Sequence, residues 1–354
     1  MTSASNSMLA AVWHGPNQLK LENRPIPELT PGSMLIKVLA CAVCGSDLRI
    51  LSNGNPRIEP PRILGHEVSG EVIALGSGVE GFDIGDKVTT GADIPCGECY
   101  HCKSGRANCC DTNYAVGYQF DGGYAEYMLV HPLIVKYGPI QKLPKDMSWE
   151  HGALAEPLAC CINGFERALY QPGSGGTVVV FGAGPIGLML TMLAREYGAE
   201  HIVVIEPASN RRAQALRFGA DTVLDPSAVD VVAEVMNITK SQGAQALFTA
   251  CPSTEAHEQA IAMVAKRGVV NLFGGLPKTA GAISVLSNHI HYKEAYITGS
   301  HGSTPDQHAQ ALKMIADKKI DADALISATF MLEEIHEAMN FAASKSNGKV
   351  VIRL

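Results

Sequence analysis

The sequence predicts an α/β protein in which a mainly β part accompanies a doubly wound parallel sheet, and three observations carry that prediction. Up to about residue 150 the chain is rich in turns and short β signals and holds most of the cysteines. From Thr177 it changes to apolar runs separated by helical stretches. Between the first of those runs and the helix after it lies a cluster of glycines, Gly182, Gly184 and Gly187. At about 100 to 200 residues per domain, 354 residues suffice for two.

In the first part Val68, Gly70, Val72 and Ala74 alternate with Glu67, Ser69, Glu71 and Ile73, as the two faces of a strand do. In the second, TVVVF, HIVVI, DTVL, QALFTA, GVVNLF and AYITG read as strands, with helices expected over 186–197, 210–218 and 254–265. That alternation implies parallel strands with helices on both faces. Two further helices are expected over 306–317 and 332–343, before a closing strand, KVVIRL. The chain after about residue 300 is expected to rejoin the first part. The domains are then 1–157 with 299–354, and 158–298 between them.

Composition excludes several functions. With 46% hydrophobic and 18% charged residues the chain is neither disordered nor a coiled coil. Lys and Arg total 28 against 35 Asp and Glu, a net charge of −7, and no basic run offers to track a phosphate backbone, so no nucleic-acid partner is expected. The opening MTSASNSMLA has no basic segment followed by an apolar one; no export signal is expected, and the cytoplasm is the expected compartment. Residues 177–194 are uncharged and reach the length of a membrane span. Gly182, Gly184, Pro185 and Gly187 interrupt them, so strand, turn and helix are expected, with no membrane partner.

The glycine cluster has a mechanical reading. Gly182 permits a tight turn, Gly184 lets a pyrophosphate approach the backbone, and Gly187 allows the helix to pack closely on the strand. Pro185 and Ile186 complete the turn, and the helix that opens there offers free N–H donors and the positive end of its dipole. Glu206 directly follows HIVVI, 19 residues beyond Gly187, where a carboxylate accepts hydrogen bonds from a ribose and repels a 2′-phosphate. A nicotinamide dinucleotide on a Rossmann domain is the expectation, NAD rather than NADP, with Arg211 as a further contact; Arg211 and Arg212 weigh the other way if they reach a 2′-phosphate. A flavin-binding or ligand-free domain of the same fold is the competing reading.

The ten cysteines are too few and too unevenly spaced for a disulfide scaffold. Cys96, Cys99 and Cys102, with Cys110 eight residues on, offer four thiolates for a closed tetrahedral zinc site. A redox pair would leave two of them unused, and the spacing lacks the pattern of a bacterial iron–sulfur run. Cys109 competes with Cys110 on spacing alone. Cys44 and His66, 22 residues apart, form no local motif and read by themselves as a buried thiol and a satisfied histidine.

The order CGSD, GHE, CGxCxxC with a further cysteine, AEPL and GAGPIG resembles, over nearly the whole chain, the zinc-containing medium-chain alcohol and polyol dehydrogenases, and within them the sorbitol and polyol branch. The resemblance implies a GroES-like β domain split in sequence around the Rossmann domain, an active site in the cleft, and a homotetramer. It implies that Cys44 and His66 are ligands of a catalytic zinc, that Glu67 is an exchangeable ligand or its close neighbour, and that Glu156 stands where other members have a second cysteine. Two zinc ions per chain follow.

The chemistry so implied is reversible hydride transfer between a secondary alcohol of a polyol, cyclitol or sugar-like substrate and NAD, with Ser46 beginning proton removal. Related enzymes carry a histidine two residues after the aspartate of CGSD. Here Leu48 and Arg49 follow Asp47, and arginine is no base near neutral pH. The expectation is that Ser46 hands the proton to water or a ribose hydroxyl while Arg49 stabilises the cofactor pyrophosphate or the departing negative charge; a surface salt bridge is the competing role for Arg49. Threonine dehydrogenase shares the framework but typically has histidine at the position of Asp93. Two more activities fit the same residues: a sugar-phosphate dehydrogenase, with Arg57, Arg62 or Lys293 on the phosphate, and a catalytically silent zinc and dinucleotide sensor. Tyr118, Phe120, His301 and Ser303 flank the motifs expected near the substrate.

Overall fold

A computed structural model describes residues 7–277, 279–344 and 348–354. The start of the chain on which the export-signal expectation rests, residues 1–6, lies outside them. The chain forms two compact units, Met1–Ala159 with Gly302–Leu354, and Cys160–His301.

The first unit is mainly β. Its larger sheet runs in the order Ile140–Lys142, Lys87–Thr90, Glu67–Leu75, Met34–Ala42, Lys349–Arg353, Ile326–Met331, with Tyr127–Val130 also pairing with Met34–Ala42. A smaller sheet joins Gln18–Pro25, Ser7–Gly15 and Arg62–Ile63. KVVIRL is a strand, as expected, and it is interior: Val351 and Ile352 stand opposite Ala42 and Cys41, antiparallel, while the other edge pairs in parallel with Ile326–Met331. The strand Glu67–Leu75 is also interior, and Glu67 through Gly70 are all buried. Two bulges in its pairing with Met34–Ala42 bring the backbones together; a Cβ at Gly70 would stand 2.3 Å from the Lys37 carbonyl oxygen. The core includes Ile36, Val38, Val68, Val72, Met128, Val350 and Ile352.

The second unit is a six-stranded sheet in the order Thr222–Leu224, His201–Ile205, Thr177–Phe181, Ala244–Thr249, Val264–Leu272, Tyr296–Gly299, every pair parallel. In chain order this is 3-2-1-4-5-6, the doubly wound dinucleotide-binding arrangement. Val178–Phe181, Ile202–Ile205 and Ala246–Phe248 are buried, as strands covered on both faces require. The expected helices are found over Pro185–Glu196, Ser209–Arg217 and Thr254–Ala262, with another over Val231–Ile238 begun by Asp230, whose carboxylate accepts from the amides of Val232 and Ala233. The third helix ends three residues short of expectation. Val264 already pairs with Ala244, and the strand absorbs Lys266 and Arg267 through a bulge in which Arg267 takes a φ of +58°. No helix among the described residues is long and apolar enough to cross a membrane.

Candidate metal and dinucleotide sites

The cysteine lobe is local in sequence and closes on itself. The Sγ atoms of Cys96, Cys99, Cys102 and Cys110 lie within 4.8 Å of one another. Backbone N–H groups point at the sulfurs: Glu98 and Cys99 donate to Cys96 at 3.4 and 3.3 Å, Cys102 to Cys99 at 3.5 Å, and Cys96 to Cys110 at 3.3 Å. The amides of Glu98 and Cys99 draw the Cys96 thiol below its ordinary range, and those of Asp111 and Cys102 do the same for Cys99. Gly97 makes the turn possible, with a φ of +76° and Tyr137 carbons 2.6 Å from where a Cβ would stand. Cys109 is exposed and outside the group, so the structure chooses Cys110. Four clustered sulfurs receiving N–H donors fit a tetrahedral zinc ion.

The second cluster is assembled from distant segments. Cys44 precedes the helix Gly45–Asn53, and Asp47, in its first turn, accepts from the Cys44 amide at 3.0 Å. His66 follows Gly65, whose φ of +90° and contact with Cys41 leave no room for a side chain; a Cβ there would be 2.7 Å from Cys41 Sγ. The ligand atoms of Cys44, His66 and Glu67 come within 4.8 Å of one another. Ser46 Oγ stands 3.3 Å from His66 Nε2, and Asp47 Oδ1 is 3.4 Å from His66 Nδ1. Burial would raise the Asp47 carboxyl, but His66 and hydrogen bonds from the Tyr124 hydroxyl, at 2.8 Å, and the Cys44 amide outweigh it and hold it below the usual carboxylate range. Glu156 is buried yet outside the 4.8 Å group; burial, reinforced by Glu67 and opposed by His66, pushes its carboxyl up to about 7. One thiolate, one imidazole and nearby carboxylates are a donor set that fits zinc with an open position.

In the other unit the glycines have three distinct environments. Gly182 has a φ of +95°. A Cβ on Gly187 would lie 1.9 Å from the Gly182 carbonyl oxygen, so only glycine lets that helix turn start. On Gly184 it would meet only Arg211 Nη1, at 3.9 Å, which leaves the backbone open for a phosphate group with a guanidinium beside it. Pro185 occupies the first helical turn and Ile186 follows it. Glu206 ties the turn together: one carboxylate oxygen accepts from the Ala183 amide and the other from Ala208, both at 2.9 Å. Arg212 is committed elsewhere, to the carbonyls of Glu206 and Pro207 at 2.8 and 2.6 Å and to Asp225 at 2.9 Å.

Comparison with known proteins converges on one family. Residues 30–139 match the profile described as alcohol dehydrogenase GroES-like domain, and residues 185–317 that described as zinc-binding dehydrogenase. The L-threonine 3-dehydrogenase of Pyrococcus horikoshii is 36% identical over 335 residues, covering 93% of each chain. The chain belongs to the zinc-binding alcohol dehydrogenases. Within this dehydrogenase family the sorbitol dehydrogenase of Bacillus subtilis is 32% identical over 345 residues, 96% of this chain and 95% of that one. A candidate zinc-binding dehydrogenase from Sinorhizobium meliloti 1021, solved with NADP, superposes with a TM-score of 0.90 at 31% identity, covering 98% and 99% of the two chains.

For this dehydrogenase the structure adds residues that spacing did not reveal. Lys349, on the interior strand, donates to both carboxylate oxygens of Glu67 and to the Val43 carbonyl. Tyr124 and Asp47 brace His66 from behind. Asp93 is buried and accepts from the Ser303 amide at 2.9 Å, beside Gly302, so it anchors a turn of the chain. Phe120 packs on His131 with ring centroids 4.1 Å apart, and the His301 carbonyl accepts from Asn163 Nδ2 at 3.3 Å. Arg49 is exposed on its helix, with no carboxylate within 4.0 Å among the described residues; the surface salt bridge is absent.

Proposed function

We propose that the chain oxidises a secondary alcohol of a hydroxyl-rich substrate, a polyol, cyclitol or sugar-like molecule, with NAD. It holds two zinc ions in this reading: one on Cys96, Cys99, Cys102 and Cys110, the other on Cys44, His66 and Glu156, with Glu67 as an exchangeable ligand or close neighbour. The observation that carries the reading is the convergence of Cys44, His66 and Glu67 within 4.8 Å, with Ser46 on one side of the imidazole and Asp47 on the other. Zinc held by Cys44, His66 and Glu156 would polarise the carbinol oxygen, and a bound nicotinamide would supply the hydride acceptor. Asp47 fixes the His66 ring, and Ser46 takes the hydroxyl proton and passes it to water or to a ribose hydroxyl. Gly182, Gly184, Pro185, Ile186 and Gly187 form the pyrophosphate turn, flanked by Glu206 and Arg211.

NAD preference is supported by the buried Glu206 and by the commitment of Arg212 to Asp225 and two carbonyls. The hydroxyl-rich substrate is supported by a carboxylate at position 156, which makes the metal surroundings polar, and by the likeness to a sorbitol dehydrogenase. L-Threonine is the second reading, favoured by the Pyrococcus horikoshii relative and opposed by Asp93, which here holds a turn. Self-association is supported by the edge strand Tyr296–Gly299, where Tyr296 and Ile297 are exposed and one side of the strand pairs with no other strand among the described residues; a homotetramer in the cytoplasm is the full proposal. The test is reduced-coenzyme formation across alditols, inositols, sugar phosphates and threonine with NAD and NADP. Turnover of simple primary alcohols equal to that of polyols overturns the substrate class, and no turnover by the zinc-loaded, dinucleotide-binding protein leaves a sensor.

A further inference from the structure

The three basic side chains open to an anion in the sequence have different fates in the structure. Arg62 is paired with Asp121 at 3.0 Å. Lys293 is turned onto the carbonyls of Ala262 and Val264, at 3.4 and 2.6 Å. Arg57, like Lys293, has no carboxylate within 4.0 Å among the described residues, and of the two it is the exposed one.

Arg57 is nevertheless held in place. Its guanidinium lies over the Tyr118 ring, 5.3 Å from the centroid, and Nη2 donates to the Asn113 carbonyl. Its backbone amide donates to Asn55 at 2.9 Å, and its carbonyl accepts from Gln119 Nε2 at 3.0 Å. Asn113 takes one of five N–H donors, and the others have no partner among the described residues. An aromatic face orients a guanidinium without neutralising it. Tyr118 in turn adjoins the candidate metal cluster: its ring meets that of His66 edge-on, with centroids 6.4 Å apart. A fixed guanidinium with no carboxylate beside it among the described residues thus stands one aromatic ring away from His66, in a chain whose net charge is −7.

We propose that Arg57, stacked on Tyr118, selects substrates whose reacting alcohol is linked to an anionic end group, a phosphate monoester or a carboxylate. The inference rests on the dehydrogenase reading above and narrows its substrate class. The planar fork of donors matches either oxyanion. Because the side chain is exposed, water competes for it, and the gain expected is about tenfold in affinity.

The experiment titrates three ligands into the zinc-loaded protein saturated with NADH, so that binding is read without turnover: a pentitol, its phosphate ester and the corresponding aldonate. At least one anion is expected to bind about tenfold tighter than the pentitol, and the two anions tell phosphate from carboxylate. Arg57→Gln should bring that ratio to about one, Arg57→Lys should keep part of it, and Arg62→Gln should leave it intact. Equal affinity for pentitol and both anions, or an anion preference that survives Arg57→Gln, overturns the proposal. Failure of the dehydrogenase reading shows separately, as absence of reduced coenzyme from every alcohol.

Discussion

Lys349 and Glu67, 282 residues apart, form an ion pair in which both side chains are almost wholly excluded from water, at 3% and 0% exposure. Burial would lower the lysine, but the Glu67 carboxylate outweighs it and raises the ammonium above its ordinary value. Breaking such a pair strands a buried charge. Lys349→Met should therefore cost about 3 to 5 kcal/mol in chemical denaturation, and the double variant Lys349→Met, Glu67→Leu distinctly less. A double variant as unstable as the single one would mean that the packing of the lysine stem, not the charge, is what matters.

The two cysteine assignments separate under elemental analysis. Cys99→Ser should lose one of two zinc ions per chain, and Cys109→Ser neither, since Cys109 is exposed and outside the sulfur cluster. Cys44→Ser should lose the other zinc while retaining the one in the lobe.

Coenzyme choice should depend on a carboxylate that acts through a neighbouring guanidinium. Asp225 holds Arg212 at 2.9 Å. Asp225→Asn releases that guanidinium beside Glu206, so kcat/KM with NADP should rise severalfold relative to NAD. Glu206→Ala should cost about 1 to 3 kcal/mol of stability as well as NAD efficiency, because the amides of Ala183 and Ala208 lose their acceptor.

Ser46→Ala should lower kcat by about 10² to 10⁴-fold with zinc retained. Arg49→Gln, which breaks no ion pair, should mainly raise KM for the coenzyme. Full activity of Ser46→Ala would place the start of the proton path elsewhere.

His308, in the helix Pro305–Ala316, is fully buried, and neither ring nitrogen meets a partner among the described residues. Burial alone pushes its pKa down to about 4 from an ordinary 6.5. As pH falls through 6.5 the unfolded chain takes up a proton that the folded one refuses until about 4, so this contribution to stability is present above 6.5 and lost between the two. The loss amounts to about 3 kcal/mol. Urea unfolding at pH 7.5 and 4.5 should show that difference shrink in His308→Leu relative to the parent, which cancels effects of acid on zinc. An unchanged difference would count against His308 as its source.

What could be read from the sequence was whatever lies within one turn or one strand–helix unit. The sulfur lobe and the glycine turn are local, and their chemistry follows from spacing. Cys44 and His66 carried no local signal, because two sheet strands and a helix bring them together; only likeness to a family joined them. Lys349 had no signal at all, since its strand reads as an ordinary closing strand and its partner lies at the other end of the unit. The choice between Cys109 and Cys110 needed the short turn of 3₁₀-helix Ala107–Cys109, which leaves the first exposed and aims the second at the Cys96 amide. The early end of the helix Thr254–Ala262 was hidden because Met263, Val264 and Ala265 are apolar residues that suit a helix face or a buried strand alike, while Lys266 and Arg267 read as the gap before the strand.

The interior place of Lys349–Arg353 also sets an order of events during synthesis. The unit Cys160–His301 is continuous, and it can close while the ribosome is still adding residues. The unit holding Cys44, His66 and Glu67 has to wait for residues 349–353, because they fill the gap between Met34–Ala42 and Ile326–Met331. A nascent chain stalled a few codons earlier therefore carries a finished dinucleotide fold beside an open sheet with a carboxylate facing no cation. In such a chain the dinucleotide fold is complete before the sheet that carries Glu67, and quality control would meet that sheet in its unfinished state.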